Sequence, residues 1–501
     1  MKKLLLIIAV AFQTTLFAQG NGFLFTSDKN EGTCAIETDD NCYIVSADQA
    51  WMDYWTGKPA SLLKLSAEGT LLQTAQLGDS YSQVVCLHKE AGEGVLYAVG
   101  LRWNTETEQM FPFVASFDKD LNSISINDVA GIPASYPYFI DDAAAIINNN
   151  GKVLFVLCDF VAFSLHYMIL DLEGNLEQFK EVHLSNMNLV GSLCLLQDGS
   201  GDFGHYCSCG SIQMLRINEQ LDIEPVFNIY QLQESQWNGS DTIYHVYVSP
   251  SPYPTVLPLT DSTFLFAEET LESWTGPNHP QPFYKDNNTV FFKSTMNGDI
   301  TNSLVLDTRN DTLERPAYFQ AIDNTNPDAV YLCSFQHLLH NSFGPEIGQN
   351  HIILMKTDTD LNPIWERRYC MGDACHLPIF ILSTSDGGCL ITGYIHEEEK
   401  MRNLFLLKLN ADGTLGIGDN VVREIPYRLY PNPVSDRLNI HYSPDVTPKA
   451  VELYDLQGRL IKTQDSNLES IGMENLPAGT YTLRVLLEDG TSYSDKVVKA
   501  H

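Results

Sequence analysis

LLKLSAEGTLLQ, residues Leu62 to Gln73, returns near the far end of the chain as LLKLNADGTLGI, Leu406 to Ile417. Five weaker copies lie between: FVASFDKDLNSI (Phe113 to Ile124), YMILDLEGNLEQ (Tyr167 to Gln178), MLRINEQLDIEP (Met214 to Pro225), FFKSTMNGDITN (Phe291 to Asn302) and ILMKTDTDLNPI (Ile353 to Ile364). Each is an apolar run, a short polar turn that often holds a Gly, and a second run. A second motif, a polar turn followed by an apolar run, precedes every copy. It runs from ETDDNCYIVSA (Glu37 to Ala47) through NNNGKVLFVLC (Asn148 to Cys158) to TSDGGCLITGY (Thr384 to Tyr394).

The seven copies recur at an average of about 57 residues between Lys64 and Lys408, with a swollen fourth interval. The apolar runs are short and alternating, which is the period of strands and not of helices. Asp-Gly, Glu-Gly and Asn-Gly pairs supply the positive φ of tight hairpins. Strands in fours at this period predict an all-β fold, a seven-bladed β-propeller over residues 19–418. The second motif reads as strand one of each blade and the Leu-Lys-Leu motif as strand two. The units with TSDGGCLITGY and ILMKTDTDLNPIWERRY resemble the Gly-rich, Trp-containing propeller repeats of exported bacterial proteins, a resemblance that implies a fold and no particular activity.

Lys2-Lys3, the apolar run Leu4 to Phe12 and a small residue at Ala18 read as a signal peptide over residues 1–18. No later run is long and apolar enough to predict a transmembrane helix. The formal charge of −33 falls almost wholly on the middle of the chain, which argues against nucleic acid as a partner. Most of the 11 cysteines sit inside apolar runs as small hydrophobes. Cys370 with Cys375, and less so Cys207 with Cys209, are the candidates for bridging.

After Gly418 the repeat stops. Residues 419–426 read as a linker, and residues 427–501 as about six short strands suited to a small immunoglobulin-like β-sandwich. This segment resembles the type A C-terminal sorting domain of the type IX secretion system. The resemblance is carried by Tyr430-Pro431-Asn432-Pro433, by Tyr454-Asp455-Leu456-Gln457-Gly458-Arg459, by Leu476-Pro477-Ala478-Gly479-Thr480-Tyr481 and by Lys496-Val497-Val498-Lys499. It implies that Pro431, Asn432, Pro433, Gly458, Pro477, Gly479, Tyr481 and Lys496 form the sorting signal. It further implies the type IX machinery as partner, removal of the domain on exit, and delivery to the outer cell surface or the medium.

Five of six tryptophans, Trp51, Trp55, Trp103, Trp237 and Trp274, fall in long insertions read as loops of one propeller face, and Trp365 alone reads as a strand residue. Tryptophans outside the core suggest flat contact surface for a glycan or a host protein. Asp358-x-Asp360-x-Asn362 and Asp198-x-Ser200-x-Asp202 have calcium-loop spacing but lack the Gly and the bidentate Glu, so no metal is expected. No cofactor motif, nucleophile elbow or metalloprotease helix appears. The sequence therefore predicts a non-enzymatic binding propeller. The alternative is a secreted glycan- or peptide-active hydrolase on the same scaffold, which would need paired acids or metal ligands at the central channel.

Overall fold

The computed structural model describes residues 22–27, 31–47, 59–90, 92, 94–104, 106–133, 142–159, 164–183, 189–208, 212–229, 233–237, 242–249, 255–275, 283–306, 313–326, 329–337, 350–371, 374–396, 402–415, 423–424, 427–442, 446–455, 459–487 and 492–500. They form strands and turns throughout. Sheet I pairs Ala35–Glu37, Tyr43–Ala47, Ser61–Leu65 and Leu71–Gln76 in order. Sheet II pairs Ser82–Lys89, Leu96–Asn104, Gln109–Phe117 and Ser123–Asp128, and sheet III pairs Asp142–Ile147, Val153–Asp159, Ser164–Leu170 and Leu176–His183. Sheet IV holds Leu189–Leu195, Phe203–Ser208, Ile212–Ile217 and Ile223–Ile229. Sheet V holds Thr255–Pro258, Thr263–Thr275, Phe283–Thr295 and Ile300–Leu306, and sheet VI Ile322–Asn326, Ala329–His337, Asn350–Thr357 and Pro363–Cys370. Leu313–Pro316 joins sheets V and VI at one edge.

The last sheet is closed from the other end of the chain. Sheet VII takes Cys375–Ser383, Cys389–His396 and Asn403–Leu409 in order, and its outer strand is Phe23–Ser27, with Phe23 opposite Lys408 and Ser27 opposite Leu404. The first strand of each sheet touches the first strand of the next, and that of sheet VII touches that of sheet I. The cycle makes the architecture a β-propeller.

Burial follows the strand order. The middle strands Tyr43–Ala47 and Ser61–Leu65 are buried at every position, whereas the outer strand Leu71–Gln76 is exposed at five of its six. A strand covered on both faces reads as a continuous apolar run, and one at the rim does not. Hydrophobic clusters form where neighbouring sheets meet. One joins Ile44, Leu62 and Val84 to Phe113 and Phe117, and another joins Leu154 and Tyr167 to Phe203 and Ile217.

The degenerate copies of the Leu-Lys-Leu motif fold like the clean ones. In all seven the fourth turn residue donates its N–H to the first residue's carbonyl, as Gly69 to Ser66 and Leu361 to Asp358. That fourth residue has positive φ, whether it is Gly69, Gly174, Gly298 and Gly413 or Leu121, Leu221 and Leu361. A leucine there costs about 1–2 kcal/mol in backbone strain, yet burying its side chain returns about 1.5–3 kcal/mol. All three leucines are under 5% exposed, so burial prevails.

The C-terminal domain has its own core. Tyr427–Tyr430, Arg437–Tyr442 and Ser470–Gly472 form one sheet, and Leu460–Gln464, Pro448–Asp455, Gly479–Leu487 and Ser492–Lys499 the other. Val434, Leu438, Val451, Leu453, Leu483, Val485 and Val497 meet between them.

Gly69 and Gly387 share nearly the same φ, but a Cβ on Gly69 would stand 2.5 Å from the Phe23 ring, whereas on Gly387 it would meet only Ala411 at 3.5 Å. Gly69→Ala should therefore cost about 1–3 kcal/mol more than Gly387→Ala in denaturant unfolding, because only the former pushes on the closing strand. Equal costs would contradict the packing of Phe23 against the first sheet.

Candidate functional site

The polar turn of the second motif lies between strands one and two of each sheet, and the Leu-Lys-Leu run is strand three. The expected assignment is thus displaced by one. The true first strands, such as Ala35–Glu37 and Thr255–Pro258, are too short to show a period of their own. The correction places both turn families on one face and the connections between strands two and three, and from sheet to sheet, on the opposite face.

The turn face is closed by its own hydrogen bonds. The Asp358 carboxylate accepts from the N–H groups of Asp360 and Asn362, each at 2.9 Å, so this calcium-like spacing is a hairpin turn. Arg216 pairs with both Asp198 (2.7 Å) and Asp202 (2.6 Å), which accounts for the second such spacing. Among the described residues no group of three or more His, Cys, Asp or Glu is placed to hold a metal. The strand-three cations tie neighbouring sheets together. Lys64 Nζ reaches Asp40 (3.0 Å) and the Lys119 carbonyl (2.8 Å), Lys293 reaches Asp360 (2.7 Å), and Lys356 reaches the carbonyls of Gly387 and Ala411 (both 3.3 Å). The Thr38 hydroxyl, with Lys64 beside it, holds Asp40 at about 2.

The connection face carries all the long insertions, but three of them are extended strands rather than loops. Trp103 lies in Leu96–Asn104, opposite Met110, with its N–H donating to the Tyr81 carbonyl at 2.8 Å. It is half-buried against the cluster of Tyr81, Leu101 and Met110. Asn104 turns this hairpin by accepting from the N–H groups of Glu106 (2.9 Å) and Thr107 (3.1 Å), the sequence signal that reading the segment as a loop missed. Trp237 ends the strand Gln233–Trp237 and pairs with Thr242, while Trp274 in Thr263–Thr275 pairs with Ile243. The structure thus brings Trp237 and Trp274 to strands flanking the same point of Thr242–Ser249, and it leaves Trp103 on sheet II. Trp365 is accordingly one of four strand tryptophans among the described residues. Trp51 and Trp55 lie outside the described residues.

The central channel is bounded by Thr33, Val84, Ala144, Ser192, Thr255 and Gln320 from successive sheets, and it encloses about 130 Å³. Ligand pockets usually measure about 300–1,000 Å³. The described lining residues are apolar or uncharged polar, such as Val84, Ala144, Ser192, Thr255 and Gln320.

Buried polar contacts instead link one sheet to the next. The Tyr167 hydroxyl meets His205 Nδ1 at 3.0 Å, the Tyr206 hydroxyl donates to Glu268 at 2.7 Å, and Glu269 faces Arg315 at 3.6 Å. Adjacent residues of one strand point to opposite neighbours, so each such pair bonds both ways. Burial, with Glu268 alongside, pushes the Tyr206 hydroxyl well above its ordinary range. Ser164 Oγ lies 2.9 Å from His166 Nε2, a nucleophile-base distance, but Ser164 is wholly buried within its strand. Cys370 and Cys375 are buried with no bridge between them; Cys207 is buried, and Cys209, its expected partner, lies outside the described residues.

In the C-terminal domain Asn432 Oδ1 accepts the Val498 N–H at 2.7 Å between two cis peptides, Tyr430–Pro431 and Asn432–Pro433. Val434 N–H donates to the Val498 carbonyl at 2.7 Å. The Tyr481 hydroxyl donates to the Pro477 carbonyl at 2.8 Å, which fixes the turn before Gly479–Leu487. Lys496 pairs with Thr482 in the ladder, and Gly458 is outside the described residues. Residues 428–500 match the family described as "Secretion system C-terminal sorting domain". The C-terminal domain is a sorting domain. The chain is therefore exported, to the cell surface or beyond it, and the type IX machinery is the partner of the sorting domain. Among the described residues there is no helix long and apolar enough to cross a membrane.

No curated protein matches the chain in sequence. Among solved structures it is similar to the polysaccharide lyase Uly1 (TM-score 0.40, 8% identity, 76% of this chain and 90% of that one). It is also similar to the Dos1 propeller (0.35, 9%, 80% and 97%) and to a protein of unknown function from Bacteroides caccae (0.34, 9%, 61% and 89%).

Burial raises the Asp323 carboxyl to about 6, although the N–H groups of Ser383 and Asn324 partly oppose the shift. The folded state therefore favours its protonated form. Its contribution is full below the unfolded value of 3.8 and is lost as pH rises from there through 6, by about 3 kcal/mol at most. Unfolding free energies of wild type and Asp323→Asn, compared from pH 4 to 7.5, should diverge in slope over that window. Parallel curves would contradict the shift.

Proposed function

We propose that this exported propeller is a binding protein that engages a glycan or protein at the cell surface through its connection face, without catalysing a reaction on it. The observation that carries the reading is the asymmetry of the two faces. Every described turn on one side is short and internally hydrogen-bonded, while the opposite side projects the 13-residue strands Thr263–Thr275 and Phe283–Thr295 and the strands flanking Trp237. Loops and extensions raised on a rigid scaffold are where recognition usually resides. A hydrolase reading would need paired acids at the channel, and a parallel hydrolase panel tests for it.

On an array of glycans and surface proteins, Trp51→Ala/Trp55→Ala and Trp237→Ala/Trp274→Ala should each weaken the wild-type signal about thirtyfold at unchanged melting temperature. Trp103→Ala should instead lower the melting temperature. Undiminished binding in both double variants, or turnover in a parallel hydrolase panel, would overturn the proposal.

A further inference from the structure

The outer edge of sheet VI is covered by the sorting domain. Arg423–Glu424 adds a strand there, with Tyr369 opposite Glu424 and Cys370 opposite Arg423. Cys370, a propeller residue, is 7% exposed because it packs into the sorting domain's own core beside Tyr427 and Leu438. Glu366 bonds Arg368 of its own strand at 3.1 Å and also pairs with Arg428 of the sorting domain. Arg368, itself buried, reaches Gln336 at 3.1 Å. His351 Nε2 lies 3.6 Å from Asp495 of the sorting domain, both less than a tenth exposed, and the Tyr427 hydroxyl stands beside the same carboxylate.

We infer that this edge is a dock that couples the order of the sorting domain to a completed propeller. Its polar groups come from three strands, Ala329–His337, Asn350–Thr357 and Pro363–Cys370, which meet only once the sheet has formed. Without them Asp495, buried in the contact, would lose His351, the half-exposed Arg428 would lose Glu366, and the apolar side of Cys370 would leave the sorting-domain core. The secretion machinery therefore meets a sorting domain seated on folded cargo, rather than one tethered and independent of it.

The test uses the full chain carrying Glu366→Gln or His351→Gln, which leave the sorting-domain sequence intact, and reads backbone amide exchange. Exchange in Tyr427–Tyr430, Arg437–Tyr442 and Ser492–Lys499 should rise tenfold or more while sheets I to IV keep their protection. Lys152→Ala, which removes the pair with Glu177 within sheet III, away from both the seam and the dock, should leave the sorting domain unchanged. Unchanged exchange in both dock variants would overturn the inference, as would an equal rise in the Lys152 variant. So would loss of protection in sheets I to IV in both dock variants, since these residues would then be propeller core.

Discussion

The pairing of Phe23–Ser27 with Asn403–Leu409 is the constraint on which the other features depend. Each sheet hides its two faces against its neighbours, so an open stack would leave the flanks of sheets I and VII in water. Completing sheet VII with the first strand of the chain joins the two ends. Side chains then seal the seam: Glu37 accepts from the Ser385 N–H (2.7 Å) and hydroxyl (2.8 Å), the Thr392 hydroxyl donates to the Gly32 carbonyl (2.7 Å), and Arg402 pairs with Glu31. Phe23 lies over Gly69 of sheet I, so the strand that closes the last sheet also packs on the first.

Closure gives the two faces different properties. On the turn side Lys64, Lys293 and Lys356 fasten sheet to sheet, and carboxylates such as Asp171 and Asp358 close their own turns. The connection side escapes that duty, since its segments are not needed to hold the hairpins, and it tolerates extensions such as the paired strands beyond Thr270. The first strands that bound the channel present small and β-branched residues there, Ala143 to Ala145 and Thr255 among them.

The repeat, the strands and the sorting domain were legible because each leaves a local pattern. The Leu-Lys-Leu turns could be counted even where leucine replaces glycine, since burial of Leu121, Leu221 and Leu361 offsets the strain of the turn. What could not be read was the register within a sheet. A first strand of three residues such as Ala35–Glu37 has no visible period, so the motifs were assigned one strand too early. The closing strand Phe23–Ser27 resembles no repeat, because its partner lies nearly 400 residues away. The hairpin that holds Trp103 read as a loop because its polar tip hid the alternation on either side. The links Tyr206 to Glu268 and His351 to Asp495 bring distant strands together, and single polar residues in apolar runs do not announce their partners.

The most direct test of this account is the equilibrium unfolding of the full chain beside a variant with Leu24→Pro and Phe25→Pro, which removes backbone donors from the closing strand. If the first strand closes the ring, the cooperative unfolding of the whole propeller shifts to markedly lower denaturant. An unfolding midpoint identical to that of the native chain would contradict closure.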